Sequence, residues 1–375
     1  MRLLLLLLAF SPLTASLKAL YLTWFDDPTT TMTLQWIAPA DEPKDTLYLH
    51  PNNTPLKSHS RPLSTYLIYD LTLTQLTPDT TYEFHIGDDP TPHTFRTAPA
   101  DLSTPLHFII GGDVYGSKKL FRRMNKTVTA RDPLFCILGG DLAYALDTGS
   151  LRFGSTLDRW LDFLSDWTQE LVTPDGRHIP FLLVSGNHDI TPDKYQLFFT
   201  LFAYPKKQLY RTLDFGTYLT LLLLDTGHFQ PIEGAQTRWL KTALTERLDI
   251  PYRFAIYHEA AYPSYYPYDG TTPQAIRTHW CPLFDQYGIT AAFENHNHTL
   301  SRTYPIKDGK LDPTGTIYFG DGCWGVKPRK TNSLWYLAER ARKNNVYLLR
   351  LTPETAQVTA LDISGQEIFF ISYTN

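Results

Sequence analysis

The chain has 375 residues, 43% of them hydrophobic and 19% charged, the make-up of an ordinary folded protein with room for two or three domains. Its formal net charge is only −4 and no basic run exceeds a few residues, which argues against a basic nucleic-acid groove and any nucleic-acid partner. The 23 Tyr, 21 Phe and 27 Pro suit strands and ordered loops better than helical bundles.

The N-terminus reads MRLLLLLLAFSPLTASLKA. Arg2 supplies a positive start, Leu3 to Phe10 an apolar stretch, Ser11-Pro12 a break, and Ala15 to Ala19 small residues for cleavage. This predicts a signal peptide over residues 1–19, and so a secreted, periplasmic or cell-surface protein. No later segment is long enough to span a bilayer.

Residues 20–99 read as all-β. TMTLQWIA alternates at Met32, Leu34 and Trp36; TLYLH, STYLIYDLTLTQL, TTYEFHIG and HTFRTA follow, separated by Pro, Asp and Gly at sandwich-like spacing. The segments FDDPTTTMTLQW, LTPDTTYEFHI and FRTAPA resemble the fibronectin-III-like domain that opens plant-type purple acid phosphatases. TAPADLSTP reads as a linker.

From residue 100 to 375 the pattern is α/β. LHFII ends at Gly111-Gly112-Asp113, LFCIL at Gly139-Gly140-Asp141, FLLVS at Gly186-Asn187-His188-Asp189, RFAIY at His258, ITAAF at Glu294-Asn295-His296-Asn297-His298, and TIYFG at Asp321-Gly322. Such uniformly apolar runs are strands buried on both faces. STLDRWLDFLSDWTQEL and AQTRWLKTALTERL carry helical periodicity, and the tail NVYLLRLTPETAQVTALDISGQEIFFISYT reads as two or three strands completing the sheets. Cys136, Cys281 and Cys323 form no metal-binding pattern; one disulfide plus a thiol, or three buried thiols, are both compatible.

Metal-ligand residue types stand directly after five separate strands, and α/β sheets build their sites just outside the carboxyl ends of strands. Each alone is ordinary: Asp113 or Asp141 a turn residue, Asn187-His188-Asp189 a helix cap and a surface His, His258 a core His. Their joint order overturns those readings. His296 and His298, two apart on an extended segment, are expected to face the same way.

That order resembles the metallophosphoesterases, and Tyr144 in GGDLAYA narrows the resemblance to the purple acid phosphatases. The resemblance implies a four-layer domain of two packed mixed sheets flanked by helices, following the sandwich. It implies an Fe(III) site of Asp113, Asp141, Tyr144 and His298, and a divalent site (Zn, Mn or Fe(II)) of Asp141, Asn187, His258 and His296. His188 is then the catalytic residue contacting substrate phosphate, with Asp189 its partner or a helix cap. The implied activity is hydrolysis of small phosphate monoesters through a metal-bound hydroxide. Two alternatives stay open: a Mn or Zn enzyme acting on diesters or nucleotides, and a surface binding protein with a degenerate site.

The chain departs from the family pattern in three places. Asn295 stands where the family has Gly, Gly116 comes late after Asp113, and EAAYPSYYPYDG after His258 holds no His. Tyr265, Tyr266 or Tyr268 lines the pocket or packs in an aromatic loop, and Arg302 meets phosphate or a carboxylate.

Overall fold

The computed structural model describes residues 17–147, 155–191, 193–204, 207–320 and 322–374. Most of the expected signal peptide lies outside them. Its last positions do not: the Lys18 N–H donates to Ile37 O at 2.8 Å, and Ala19 is buried in the first strand, so the folded sandwich starts before residue 20.

The sandwich is built from β1 (Ala19–Thr23), β2 (Met32–Pro39), β3 (Thr46–Leu49), β4 (Thr54–Lys57), β5 (His59–Leu63), β6 (Tyr66–Leu73), β7 (Thr81–Ile86) and β8 (Asp89–Arg96). They form two four-stranded antiparallel sheets, β1-β2-β6-β5 and β4-β3-β7-β8. The β4 and β5 strands had no apolar alternation to announce them, because both are largely exposed.

The second domain contains β9 (Leu106–Gly111), α1 (Lys118–Thr129), β10 (Phe135–Gly139), α2 (Thr156–Glu170), β11 (Phe181–Val184), α3 (Gln196–Phe202), β12 (Arg211–Phe215), β13 (Leu219–Leu223), α4 (Thr237–Thr245), β14 (Tyr252–Ile256), α5 (Thr271–His279), α6 (Cys281–Tyr287), β15 (Ala291–Phe293), β16 (Leu300–Thr303), β17 (Ile306–Lys307), β18 (Lys310–Leu311), β19 (Tyr318–Gly320), β20 (Leu337–Ala341), β21 (Asn345–Leu351), β22 (Thr355–Asp362) and β23 (Glu367–Thr374). Two mixed sheets run β11-β10-β9-β21-β22-β23 and β12-β13-β14-β15-β19-β16-β20. The tail strands complete the first sheet, with β21 antiparallel to β9.

Alternation along each strand assigns its residues to layers. Phe108, Ile110, Phe135 and Ile137 meet Leu221, Phe254, Ile256 and Phe293 in the core between the sheets. Ile109, Cys136 and Leu138 face Phe121, Trp160, Phe163 and Trp167 of α1 and α2. Leu222, Ala255, Tyr257 and Ala292 face Leu240, Ile276, Trp280 and Phe284 of α4 to α6. This is the four-layer arrangement. Cys136, Cys281 and Cys323 are free and buried, which decides the cysteine alternative in favour of thiols.

The sandwich shares its core with the second domain. Every residue from Met32 to Ala38 is buried, not only the alternate ones, because the outer face of the β1-β2-β6-β5 sheet is also covered. Tyr21 stacks on Phe181 at 5.9 Å, Gln35 Nε2 donates to Leu201 O at 3.2 Å, and the edge-strand Leu20 N–H donates to Thr168 Oγ1 of α2 at 2.8 Å. At another point of the boundary, His93 Nδ1 and His178 Nε2 share a hydrogen bond of 2.9 Å. The linker is held as well, since Ala98 and Leu102 are buried.

Candidate metal centre

Parallel strands β9, β10 and β11 of one sheet and β14 and β15 of the other end at the same edge. Their loops bring Asp113, Asp141, Tyr144, Asn187, His258, His296 and His298 together, with His188 beside them. Five of these residues hold left-handed backbone: Asp113 (φ 56), Asp141 (φ 51), Tyr144 (φ 54), His296 (φ 75) and His298 (φ 58). Non-glycine residues adopt that conformation at a cost, and concentrated strain marks functional sites. The expectation of an extended His-x-His segment therefore fails. Two left-handed turns splay the rings apart, and Asn297 Oδ1 between them accepts from the Tyr265 and Tyr266 N–H groups, both at 3.0 Å.

The splayed rings enter two clusters. Asp113 Oδ1 lies 2.8 Å from His298 Nε2 and accepts from Tyr144 OH at 3.0 Å, and that hydroxyl is 3.2 Å from His298 Nε2. On the other side His258 Nε2 lies 3.2 Å from Asn187 Oδ1, 3.2 Å from His296 Nδ1 and 3.4 Å from Asp141 Oδ1. Asp141 belongs to both candidate metal-binding groups, Asp141–His258–His296 and Asp113–Asp141–His298, whose ligand atoms lie within 4.8 Å of one another.

The donor set fits bound cations. His258 Nδ1 faces Gly139 O at 2.8 Å, which fixes its proton there and turns the Nε2 lone pair toward the cluster. Asn187 Oδ1, His296 Nδ1 and Asp141 Oδ1 crowd that nitrogen, and without a cation a single proton there cannot satisfy all three. Among the described residues Asp141 Oδ2 is buried without a hydrogen-bond partner, and His188 Nε2 is 3.8 Å away. A buried carboxylate oxygen left so is costly unless a cation meets it. Carboxylate and phenol oxygens suit a hard trivalent ion; imidazole and amide suit a divalent one.

The electrostatics of the protein groups alone carry the same strain. Burial opposes charge on Asp141, yet His258 and His188 overcome it and hold this carboxyl well below the usual range. Burial likewise opposes charge on His258, and the Asp141 carboxylate outweighs it, raising the imidazole to about 10. Burial, then the Asp113 and Asp141 charges, push the Tyr144 phenol well above its ordinary value. His296 is lowered to about 3 by burial and by His258. Asp189 is raised to about 8 by burial and Asp141. Its two oxygens accept from the Leu142 N–H at 2.8 Å and the Gly186 N–H at 3.0 Å, so it ties the β10 and β11 loops together.

Two of the departures from the family pattern, Asn295 and the loop after His258, have local explanations. Asn295 is buried, its Nδ2 donates to Tyr257 O at 2.8 Å, and its amide fills space where a Cβ on Gly112 or Gly139 would stand. A Cβ on Gly186 would overlap the Asp141 carboxylate, so that glycine is required for close approach. Tyr266 stacks on His296 at 4.7 Å and accepts from Arg329 Nη1 at 2.7 Å; Tyr268 instead lies under Arg277. Arg302 lies 3.8 Å from Glu339, the carboxylate alternative.

The reading of the sequence missed four residues here. TLLLLDTGH continues β13 into Asp225, Thr226 and His228, the same strand-then-ligand grammar as the other loops. The His228 ring lies 5.5 Å from His258, and its Nε2 is 3.1 Å from Thr226 Oγ1 and 3.9 Å from Glu259. Arg329 was also passed over; its N–H donates to His298 O at 2.8 Å.

Residues 106–300 match the calcineurin-like phosphoesterase family, and residues 17–97 match the family described as purple acid phosphatase, N-terminal domain. An uncharacterized protein of Mycobacterium tuberculosis is 28% identical over 278 residues, 63% of this chain and 50% of that protein. Purple acid phosphatase 21 of Arabidopsis thaliana is 25% identical over 273 residues, 68% of this chain and 58% of that protein. The chain thus spans little more than half the length of these curated relatives. Among solved structures, purple acid phosphatase PPD1 from yellow lupin (Lupinus luteus) seeds superposes with a TM-score of 0.79 at 14% identity, covering 95% of this chain and 74% of that one. PhoD superposes with a TM-score of 0.67 at 12% identity, covering 95% and 88%.

Proposed function

Because the chain belongs to the calcineurin-like phosphoesterases, in the purple acid phosphatase family, we propose that it is an exported phosphatase that hydrolyses small phosphate monoesters at a dinuclear Fe(III)–M(II) centre, with M being Zn, Mn or Fe(II). Asp113, Asp141, Tyr144 and His298 would hold the ferric ion, and Asp141, Asn187, His258 and His296 the divalent one. The observation that carries this reading is Asp141, shared by both clusters and left with a buried oxygen that has no hydrogen-bond partner among the described residues. The pair of cations, when bound, neutralises phosphoryl charge and acidifies a water molecule.

The protein's own groups do the rest. The His188 N–H donates to Asp141 Oδ1 at 2.9 Å, and the ring lies 4.8 Å from Tyr144. Those contacts fix the backbone and one face of a half-buried imidazole beside the cluster, where it would meet a phosphate oxygen or the leaving group. Tyr266 stacks on the His296 ring and covers one face of it. Arg329, tied to both His296 O (3.4 Å) and His298 O, adds positive charge where phosphate oxygens gather.

The test is metal quantification on the purified mature chain together with hydrolysis of p-nitrophenyl phosphate. Two metals per chain and turnover are expected. A protein that takes up no metal and cleaves no phosphoester refutes the proposal and leaves a binding role.

A further inference from the structure

One residue of the metal cluster, His298, also lines a larger cleft. A cavity of about 820 Å³ opens beside His298 and runs along Lys327, Arg329, Lys330 and Arg342. No Asp or Glu among the described residues lines it. In a chain with 38 acidic and 34 basic residues, four cations together without an acid depart from the average surface. Their contacts leave the charge intact. Arg329 donates to a phenol and to backbone oxygens, Arg342 Nε donates to Pro328 O at 3.0 Å, and Lys327 and Lys330 are exposed. Gly116 and the cap residue Ser117 form another wall, so the positive end of the twelve-residue helix α1 faces the same space.

A single phosphate group is already provided for by the cluster, His188 and Arg329. Lys327, Lys330 and Arg342 line the same cleft and are surplus to it. We propose that this cleft is a subsite for a second phosphate group, and that the substrates are compounds carrying at least two phosphates, of which the one at the metal cluster is cleaved. Lysine and arginine serve as flexible phosphate ligands, and a cleft of one sign raises the local concentration of a polyanion. The inference rests on the proposed phosphatase reading for its chemistry, but the binding site stands on the cleft alone.

The experiment compares the metal-loaded wild type with the triple variant Lys327→Ala, Lys330→Ala, Arg342→Ala, checked by thermal unfolding. Substrates are p-nitrophenyl phosphate, fructose 6-phosphate, fructose 1,6-bisphosphate and tripolyphosphate; calorimetry follows tripolyphosphate binding in parallel. The wild type should prefer the multiply phosphorylated compounds. The variant should raise their KM about 10- to 100-fold while staying within about two-fold on the monophosphates, as expected for loss of three partly solvated ionic contacts. High salt should erase the same preference. Selective loss on tripolyphosphate alone assigns the subsite to linked phosphates; loss on the bisphosphate as well admits separate ones. Hydrolysis of p-nitrophenyl phosphate with no preference, or with equal losses on all substrates, overturns the subsite and leaves the phosphatase reading standing. If nothing is hydrolysed, the phosphatase reading falls, and calorimetry decides the subsite: tripolyphosphate binding lost in the variant upholds it, and absent or unchanged binding overturns it.

Discussion

Tyr144→Phe separates an iron-phenolate enzyme from a related enzyme using other metals. Ionising an ordinary phenol of pKa about 10 at pH 7 costs about 4 kcal/mol. At Tyr144 the cost is higher, because burial and the charges of Asp113 and Asp141 all disfavour the phenolate. No protein group reverses this. The hydroxyl is 3.0 Å from one carboxylate oxygen and donates to it. Only a directly bound cation can offset the cost, so a phenolate at neutral pH reports on the metal itself. The assay is a visible absorption spectrum beside metal quantification and a chelated control. Iron-loaded wild type should be coloured, chelation should remove the colour, and the metal-free protein should show no Tyr144 phenolate until the pH exceeds 10. Tyr144→Phe should abolish the colour while the divalent site, which does not use this residue, still loads. A Tyr144→Phe protein with full iron and an unchanged visible band would refute the assignment, as would colourless wild type with stoichiometric iron.

Asp141→Asn should lose both metals together rather than one, with kcat/KM falling by about 1,000-fold or more, read by metal analysis and initial rates. Full loading and activity in that variant exclude Asp141 as the shared ligand. His178, whose burial lowers it to about 3, should make stability depend on pH. A depressed histidine stabilises the fold fully above its unfolded pKa of about 6.5, and that stability drains as the pH falls toward the folded value. The loss is about 2 kcal/mol by pH 5. His178→Gln should flatten the difference between denaturant unfolding at pH 7 and pH 5, and an unchanged slope would show that His178 is not its source. Thr168→Val keeps the shape of the side chain but leaves the Leu20 N–H without its acceptor, which should destabilise the protein by about 1–3 kcal/mol. Thermal unfolding should move to lower temperature with both domains melting in one transition; a sandwich that melts separately contradicts the shared core.

The candidate site was largely legible because its grammar is local. An apolar run followed by a ligand type, with Gly between them in three cases, is visible in a dozen residues, and five such runs point to one sheet edge. His228 obeys the same grammar but follows an Asp-Thr-Gly turn, and it was lost among the ordinary loops. What required the structure was distant. Asn295 is accommodated by Gly112 and Gly139, which no reading of its own loop could reveal. The cleft cations come from Lys327 to Lys330 and from Arg342, separated by β20, so no basic run betrays them. The burial of Gln35 looked like the polar side of a half-exposed strand until the second domain was seen to cover it.

The placement of β21 has a consequence for the order of events in the life of the chain. Asp113 follows β9, and β9 is flanked by β10 on one side and by β21 on the other. The Asp113 backbone is itself gripped from the C-terminal side, where the Gly325 N–H donates to its carbonyl at 3.0 Å. The first ligand of the series is therefore among the last to be set. A nascent polypeptide, still lacking its final strands, cannot hold this corner in shape, and such long-range closure is slow. Metal uptake would then be a late step, taken by the finished molecule, and a truncation inside β21 should produce a chain that never loads the cluster.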